Sequence, residues 1–123
     1  MSSIKRINAV FIYVKDMAEM RRFYETVLGL NAPIVESDMW VEYDLPGSRF
    51  ALHQGDERIL NEQSPLRNTV KFSLEVDDLS SLCASLKEKG VEIVFEPRED
   101  FGSLLAEILD VEGNPIRLIQ KVK

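Results

Sequence analysis

The chain carries one pattern twice, and this internal repeat limits the possible folds more than any other feature of the sequence. A segment rich in β-branched and aromatic residues leads to Asp16, then to an apolar stripe at helical spacing, and then to Gly29. The same order recurs in the second half, where Asp78 and Gly90 stand in the matching places. A repeat of whole units predicts two similar modules, each built from a strand, a helix and further strands.

The elements of each half follow from hydrophobic periodicity, turn residues and capping residues. The predicted strands are 7–14, 39–45, 49–54, 69–76, 91–95, 104–109 and 116–122. The first apolar helical stripe runs from Met17 to Leu28, and the second follows Asp77-Asp78. Pro46-Gly47-Ser48 supplies a hairpin turn between two of these strands.

We predict an α+β fold in which two βαβββ repeats form a curved mixed sheet. The helices would lie on its outer side and leave a cleft on its inner side. The whole chain, 1–123, would be a single domain, with repeat 1 at about 4–55, a linker at about 56–67 and repeat 2 at about 68–123. The linker prediction rests on its polar composition and on its Gly and Pro residues.

Composition excludes several classes of partner. The net charge of -6 and the pI near 4.8 argue against nucleic acid, because neutralising phosphates needs a basic surface. No apolar run approaches the length of a membrane span, and the first residues lack the apolar core of a signal peptide, so we expect a cytoplasmic protein. The single cysteine, Cys83, excludes an intrachain disulfide and is expected to pack as a small apolar residue.

Three short motifs carry a resemblance to a known family. Phe23-Tyr24 and Leu28-Gly29-Leu30 occur near the end of the first helix, and Asp110 to Leu118 reads Asp-Val-Glu-Gly-Asn-Pro-Ile-Arg-Leu. Together with the repeat, these motifs resemble the vicinal-oxygen-chelate superfamily, which includes glyoxalases, bleomycin resistance proteins and extradiol dioxygenases. The resemblance covers nearly the whole chain and implies the paired-module fold, but a fold alone does not fix a function.

The resemblance also implies where metal ligands would stand in this chain. Counting from Asp16, from Asp78 and from the Gly-Asn turn gives Ala9, Lys71 and Arg117, and the best match for the fourth position, on the strand after the hairpin turn, is Ala51. Alanine offers no ligand atom, and the two cationic side chains would repel a metal ion. We therefore expect no metal and no cofactor. A divalent metal at an atypical site, with His53 and a glutamate such as Glu42, Glu75 or Glu107, is the alternative.

Strand periodicity nevertheless predicts a ligand-binding cleft with aromatic walls and two cations. The candidate ligand-binding residues are Lys71, Arg117, His53, Phe11, Tyr13, Ser73 and Trp40. Arg117 and Lys71 are suited to hold a carboxylate or a phosphate. The competing interpretation is that Glu75 or Glu107 neutralises these cations in a structural ion pair. Candidate acid–base groups are His53 and Glu107.

The sequence therefore predicts a protein of glyoxalase or bleomycin-resistance type that binds a small, anionic or aromatic molecule without metal. The alternative is a lyase, isomerase or dioxygenase that uses an atypical metal site or metal-free acid–base catalysis, and whether the chain is an enzyme stays open. By analogy with the bleomycin-binding proteins, we expect a homodimer. Neither nucleic acid nor membrane is an expected partner.

Overall fold

The structure is a computed structural model that describes residues 2–61, 68, 70–100 and 102–121. The chain divides into two compact units, residues 1–68 and residues 69–123. Each unit has its own sheet and at least one helix of its own. None of the helices in the described part of the chain has the length and apolar character of a membrane-spanning segment.

The first unit contains a four-stranded mixed sheet. Its elements are β1 (Val10–Val14), α1 (Met17–Arg22), β2 (Val35–Glu36), β3 (Trp40–Leu45), β4 (Ser48–Gln54) and α2 (Glu57–Leu60). The strand order is β1-β4-β3-β2, in which β1 runs parallel to β4 and the other neighbours are antiparallel. The predicted hairpin is confirmed, because β3 and β4 pair closely up to the turn at Pro46-Gly47.

The second unit repeats this arrangement. Its elements are β5 (Ser73–Glu75), α3 (Leu79–Glu88), β6 (Ile93–Asp100), β7 (Ser103–Leu109) and β8 (Pro115–Lys121). The strand order is β5-β8-β7-β6, again with the first strand parallel to the last and the rest antiparallel. The predicted α+β fold of two βαβββ modules is therefore confirmed, with the strands arranged in two four-stranded sheets.

Both helices begin as the sequence predicts. The Asp16 carboxylate accepts a hydrogen bond of 3.0 Å from the backbone N–H of Glu19, and the Asp78 carboxylate accepts one of 3.1 Å from that of Ser81. Each aspartate thereby satisfies an N–H group that has no partner within the helix. Gly90 follows α3 with a φ of 83°, a conformation that glycine adopts without strain.

The first helix departs from the regular helix that its apolar stripe predicts. It is an α-helix only to Arg22 and continues as a π-helix over Phe23–Val27. The wider turn brings two adjacent aromatic residues, Phe23 and Tyr24, into the core together with Met20. Glu25 lies in the same turn, and its carboxylate accepts a hydrogen bond of 2.7 Å from the Tyr43 hydroxyl of β3.

Each helix covers one face of its own sheet. In the second unit, Leu79, Cys83 and Leu86 of α3 are buried, as are Ala106, Ile108, Ile116 and Leu118 on alternate positions of β7 and β8. Burial raises the pKa of the Cys83 thiol, in keeping with its predicted role as a small core residue. The alternate residues of every strand point to the opposite face, and those faces carry the candidate site residues.

Two strands are shorter than predicted. The predicted strand 7–14 begins only at Val10, and continuing the β1–β4 register places Ile7 opposite Gly47, ahead of the first residue of β4. The predicted strand 69–76 is reduced to Ser73–Glu75. Continuing the β5–β8 register places Lys71 opposite Pro115, which has no N–H to donate to a ladder. Residue 69 lies outside the described residues.

Other boundaries also moved. The predicted strand 91–95 extends instead over Ile93–Asp100, because β6 is an edge strand whose register shifts on both sides of Phe95 and so accommodates Pro97. The short edge strand β2 was not predicted. Within the segment predicted as a linker, 56–67, residues Glu57–Leu60 form a short helix, and residues 62–67 lie outside the described residues.

Candidate functional site

In the first unit, the strand register aligns the candidate residues in two rows on the face opposite the helix. Tyr13, His53 and Trp40 occupy one row across β1, β4 and β3. Ala51 occupies the next row, between Phe11 of β1 and Glu42 of β3. Because registered partners point to the same side of a sheet, these side chains share one face.

The aromatic side chains of this face form one cluster, here called the aromatic cluster, made of Phe11, Tyr13, Trp40 and His53. The ring centroid of Phe11 lies 5.6 Å from that of Tyr13, 5.2 Å from that of Trp40 and 5.7 Å from that of His53. The His53 ring lies 5.0 Å from Tyr13 and 5.5 Å from Trp40. These are the separations of rings in mutual contact, so the cluster is packed rather than open between its members.

The hydrogen bond of His53 fixes which ring nitrogen carries the proton. Its Nδ1 atom lies 3.1 Å from the carbonyl oxygen of Met39. A carbonyl oxygen only accepts, so Nδ1 donates and the Nε2 atom of the neutral ring is left as an acceptor. His53 is half-buried within the aromatic cluster.

Glu42 lies beside this cluster and is buried, with 7% of its surface exposed. Its Oε1 accepts a hydrogen bond of 2.9 Å from the Trp40 indole N–H, and its Oε2 accepts one of 3.0 Å from Arg49. The hydrogen bond from Trp40, together with the Arg49 guanidinium, holds the pKa of Glu42 below its usual range against the opposing effect of burial. Both carboxylate oxygens are therefore engaged within the unit.

The second unit contains a solvent-open cavity of about 260 Å³ on the face opposite α3. We call it the cationic pocket, and its lining residues are Lys71, Phe72, Ser73, Glu107, Pro115 and Arg117. The register places Ser73, Arg117 and Glu107 side by side on β5, β8 and β7. The pocket thus has two cations, one carboxylate, a hydroxyl and two apolar walls.

The charges of the cationic pocket are only partly paired. The Nη2 and Nε atoms of Arg117 lie 3.1 and 3.3 Å from the same oxygen, Oε1 of Glu107. Glu75 instead lies 3.6 Å from the Nζ atom of Lys121. Among the residues that the structure describes, no carboxylate lies within 4.0 Å of the Lys71 ammonium. Among the described lining residues, the pocket therefore holds one more positive charge than negative.

An aromatic ring that the sequence analysis missed lies beside the pocket. The Cζ atom of Arg117 is 5.6 Å from the ring centroid of Phe95, and that of Arg98 is 4.0 Å from it. Phe95 is opposite Glu107 in the β6–β7 register. Its position could have been inferred from strand pairing, but the predicted strand ended at Phe95 and the bulges on either side hid which face it occupies.

The structure thus groups the predicted site residues into two sets. Phe11, Tyr13, Trp40 and His53 meet in the aromatic cluster of the first unit. Lys71, Ser73, Arg117 and the candidate acid–base residue Glu107 line the cationic pocket of the second unit. Of the two interpretations of the cations, a structural ion pair holds for Arg117 with Glu107.

A family model for the Glyoxalase/Bleomycin resistance protein/Dioxygenase superfamily matches residues 6–118. The chain belongs to this superfamily. The resemblance carried by the Phe-Tyr and Leu-Gly-Leu motifs is thereby confirmed, and so is its reach along nearly the whole chain. A search of curated proteins found no match.

Solved structures share the fold of this superfamily member. A glyoxalase-related enzyme from Fulvimarina pelagi matches with a TM-score of 0.77 and 14% identity, covering 96% of this chain and 89% of the other. A virulence protein from Salmonella typhimurium matches with a TM-score of 0.75 and 23% identity, covering 98% and 100%. A glyoxalase/bleomycin resistance protein/dioxygenase family enzyme from Burkholderia phytofirmans gives 0.76 and 21%, covering 94% and 98%.

The residues at the expected ligand positions do not fit a metal. Ala51 is fully buried and has no donor atom, Lys71 lines the cavity as an ammonium, and Arg117 is bound to Glu107. In the described ranges no group of three or more His, Cys, Asp or Glu side chains is arranged to hold a metal ion. A metal ion bound by Glu42, the atypical site considered above, would have to displace the hydrogen bonds that both carboxylate oxygens already accept. That the chain uses no cofactor stays a prediction.

Proposed function

We propose that this protein binds a small anionic molecule in the cationic pocket and does so without a metal ion. The observation that carries the proposal is the unequal charge of the described pocket lining, in which Lys71 and Arg117 are accompanied by one carboxylate, that of Glu107. A carboxylate or phosphate placed between the two cations would restore balance. Such charge-assisted hydrogen bonds are shorter and stronger than neutral ones.

The shape of the pocket supports a ligand with an apolar part. Phe72 and Pro115 supply apolar lining on the same side as Lys71, while the Ser73 hydroxyl offers an additional hydrogen bond to an anion. A cavity of about 260 Å³ suits a small molecule rather than a peptide segment. Partial desolvation of the ligand in the pocket would strengthen its attraction to the two cations.

The test is binding of simple anions, measured by isothermal titration calorimetry at low ionic strength with butyrate, benzoate and inorganic phosphate as probes. We expect at least one of them to bind. Lys71→Met should weaken that binding about tenfold, because it removes a charged hydrogen-bond donor. The matched control is Lys87→Met, which removes the same charge from α3, where Lys87 pairs with Glu96 at 2.9 Å.

Two results would contradict the proposed function. One is that none of the three anions binds to the wild-type protein at millimolar concentration. The other is that Lys71→Met and Lys87→Met weaken binding equally, since a general charge effect and not the pocket would then explain the affinity. Circular dichroism of both variants confirms that each is folded before affinities are compared.

We also propose that the chain forms a homodimer through its N-terminal segment, residues 2–9. Ile4 and Ile7 in this segment are 96% and 79% exposed and lie ahead of the first strand. Lys5 and Arg6 between them carry two positive charges. Two exposed isoleucines in an unpaired segment are unfavourable in water, which favours an apolar partner surface.

The occupant that fits this segment best is the β2 edge of a second copy. Ile34, Val35 and Met39 are exposed there, and Glu36 and Asp38 supply negative charge opposite the segment's positive charge. Edge strands carry backbone groups that accept an added strand. Light scattering should give a dimer mass for the wild type and a monomer mass for Ile4→Asp/Ile7→Asp, with Val94→Asp as an exposed control. A monomeric wild type would refute the dimer, and a dimeric double variant would refute its assignment to the N-terminal segment.

A further inference from the structure

One carboxylate oxygen of the cationic pocket is available to a ligand. Both hydrogen bonds from Arg117 go to Oε1 of Glu107, and no donor among the described residues reaches Oε2. The Glu107 side chain is only 16% exposed, yet no buried side-chain oxygen in the described part of the chain lacks a partner. Oε2 is therefore open to solvent at the pocket wall and retains its capacity to accept hydrogen bonds.

We propose that the pocket selects small acids that also carry a hydrogen-bond donor, a hydroxyl or an ammonium group, which binds Oε2 of Glu107. This inference rests on the proposed function, because the acid group is held by Lys71 and Arg117. The donor then adds a second recognition point on the opposite side of the Arg117 guanidinium. The two cations and the open carboxylate oxygen together define an amphiprotic ligand: a hydroxy acid or an amino acid.

The strand register sets the distance between the two groups of the ligand. Ser73, Arg117 and Glu107 stand on three adjacent strands, and neighbouring strands are about 4.8 Å apart. An acid group over the Lys71 side of Arg117 and a donor over Glu107 are therefore separated by about one strand spacing. A chain of three or four carbons spans this distance, so a terminal hydroxyl or ammonium suits the pocket better than one on the carbon next to the acid.

The first unit provides an internal reference for this inference. Glu42 stands opposite Ala51 and Phe11 in its sheet, as Glu107 stands opposite Arg117 and Ser73 in the other sheet. Both oxygens of Glu42 are occupied, one by Trp40 and one by Arg49. The same module position therefore holds a saturated carboxylate in one unit and a carboxylate with a vacant acceptor in the other.

The experiment compares three four-carbon acids by calorimetry: butyrate, 4-hydroxybutyrate and 4-aminobutyrate. Butyrate has no donor, and the other two carry a neutral donor and a charged donor at the same position. We expect one or both donor-bearing acids to bind about tenfold more tightly than butyrate, since a hydrogen bond to a charged group is at stake. Lactate and alanine, whose donors lie next to the acid, should show less preference over propionate.

Variants at Glu107 test whether Oε2 of Glu107 causes the preference for acids that carry a hydrogen-bond donor. Glu107→Met should abolish the preference while butyrate binding is retained or improved, because Arg117 loses its internal partner. In Glu107→Gln the amide oxygen remains the acceptor for Arg117 and an NH2 donor takes the place of Oε2. The preference for the ammonium should therefore be lost, whereas a hydroxyl, which can also accept, should retain its advantage over butyrate. Glu75→Met is the control, since Glu75 pairs with Lys121 and does not line the pocket.

The outcomes separate the inference from the proposed function. If no acid binds, the anion-binding function fails and the inference fails with it. If butyrate binds and neither donor improves affinity, the function stands and the selection for a donor is wrong. If the preference for a donor persists in Glu107→Met, another group accepts the hydrogen bond from the ligand and the assignment to Glu107 is wrong.

Discussion

The two modules of this protein use one position of the same fold in opposite ways. Each has a glutamate on the face away from its helix, Glu42 in the first module and Glu107 in the second. Glu42 is buried and its two oxygens bind two different donors. Glu107 lines an open cavity, and only one of its oxygens is bound.

The residue on the neighbouring strand explains much of this difference. Ala51 is small and fully buried, and Glu42, its register partner on β3, is only 7% exposed. Arg117 stands at the corresponding position of the second module, where a long cation keeps the face polar and open. The first module thus uses its face for internal packing, and the second leaves hydrogen-bonding capacity for a ligand.

The largest effect expected from this comparison is on stability. Glu42→Ala should lower the free energy of unfolding by about 1–2 kcal/mol, because it leaves the part-buried Trp40 N–H without its acceptor, while the 47% exposed Arg49 regains water and keeps Asp44 at 3.6 Å. Glu107→Ala should lower it by at most about 1 kcal/mol, because Arg117 is 44% exposed and regains water as a partner. Urea denaturation at pH 7 measures both values.

Asp44→Ala serves as the control for this pair of variants. Asp44 also lies near Arg49, at 3.6 Å, but its side chain is exposed. We expect its loss to change stability by less than about 0.5 kcal/mol. Equal losses for Glu42→Ala and Glu107→Ala would mean that the two carboxylates are equivalent and would remove the basis of the comparison.

A smaller effect should appear in the pH dependence of stability. The pKa of Glu42 is lowered in the folded protein, so its contribution is present above the ordinary carboxyl pKa of about 4.3 and is lost as the pH falls through the folded value. The stability difference between the wild type and Glu42→Gln should therefore shrink as the pH falls below about 4.3.

Glu25 provides a check on this interpretation. Burial raises the pKa of Glu25, but the hydrogen bonds from Arg21 and Tyr43 outweigh that effect and lower it overall. This carboxylate is present in both proteins, so its titration cancels in the difference. A difference between wild type and Glu42→Gln that does not change with pH in this range would show that Glu42 is not held ionised by its partners.

The sequence was sufficient for the fold because the decisive signals are local. Asp16, Asp78 and the following glycines mark both helices, and the structure gives each aspartate the predicted capping hydrogen bond. The strand boundaries depended on tertiary pairing and were less accurate. Whether residues ahead of β5 join the sheet depends on the partner residues of β8, and Pro115 cannot be recognised as that limit before the register is known.

The candidate site was only partly accessible from the sequence. Alternation predicted one face for Lys71, Ser73 and Arg117, and all three line the cationic pocket, but Lys71 lies ahead of β5, and Phe72, predicted for the other face, lines the same pocket. The pairing of Arg117 with Glu107, and the occupation of both oxygens of Glu42, depend on which strands lie side by side and on side-chain geometry. Sequence periodicity carries neither kind of information.

The smallest effect expected concerns His53, whose hydrogen bond to Met39 helps to close the face of the first module. Ile119 of β8 occupies the corresponding position in the second module, and its side chain has no polar atom that could form such a hydrogen bond. His53→Asn places an amide nitrogen near the position of Nδ1 and should keep the bond to the Met39 carbonyl. His53→Ala should remove it and cost about 1 kcal/mol more than His53→Asn in the free energy of unfolding.

Both variants lose the imidazole ring, so contacts with Tyr13 and Trp40 cancel in this comparison. Equal stabilities would therefore assign the role of His53 to ring packing alone. A more stable asparagine variant would show that the hydrogen bond to the Met39 carbonyl oxygen stabilises the first module.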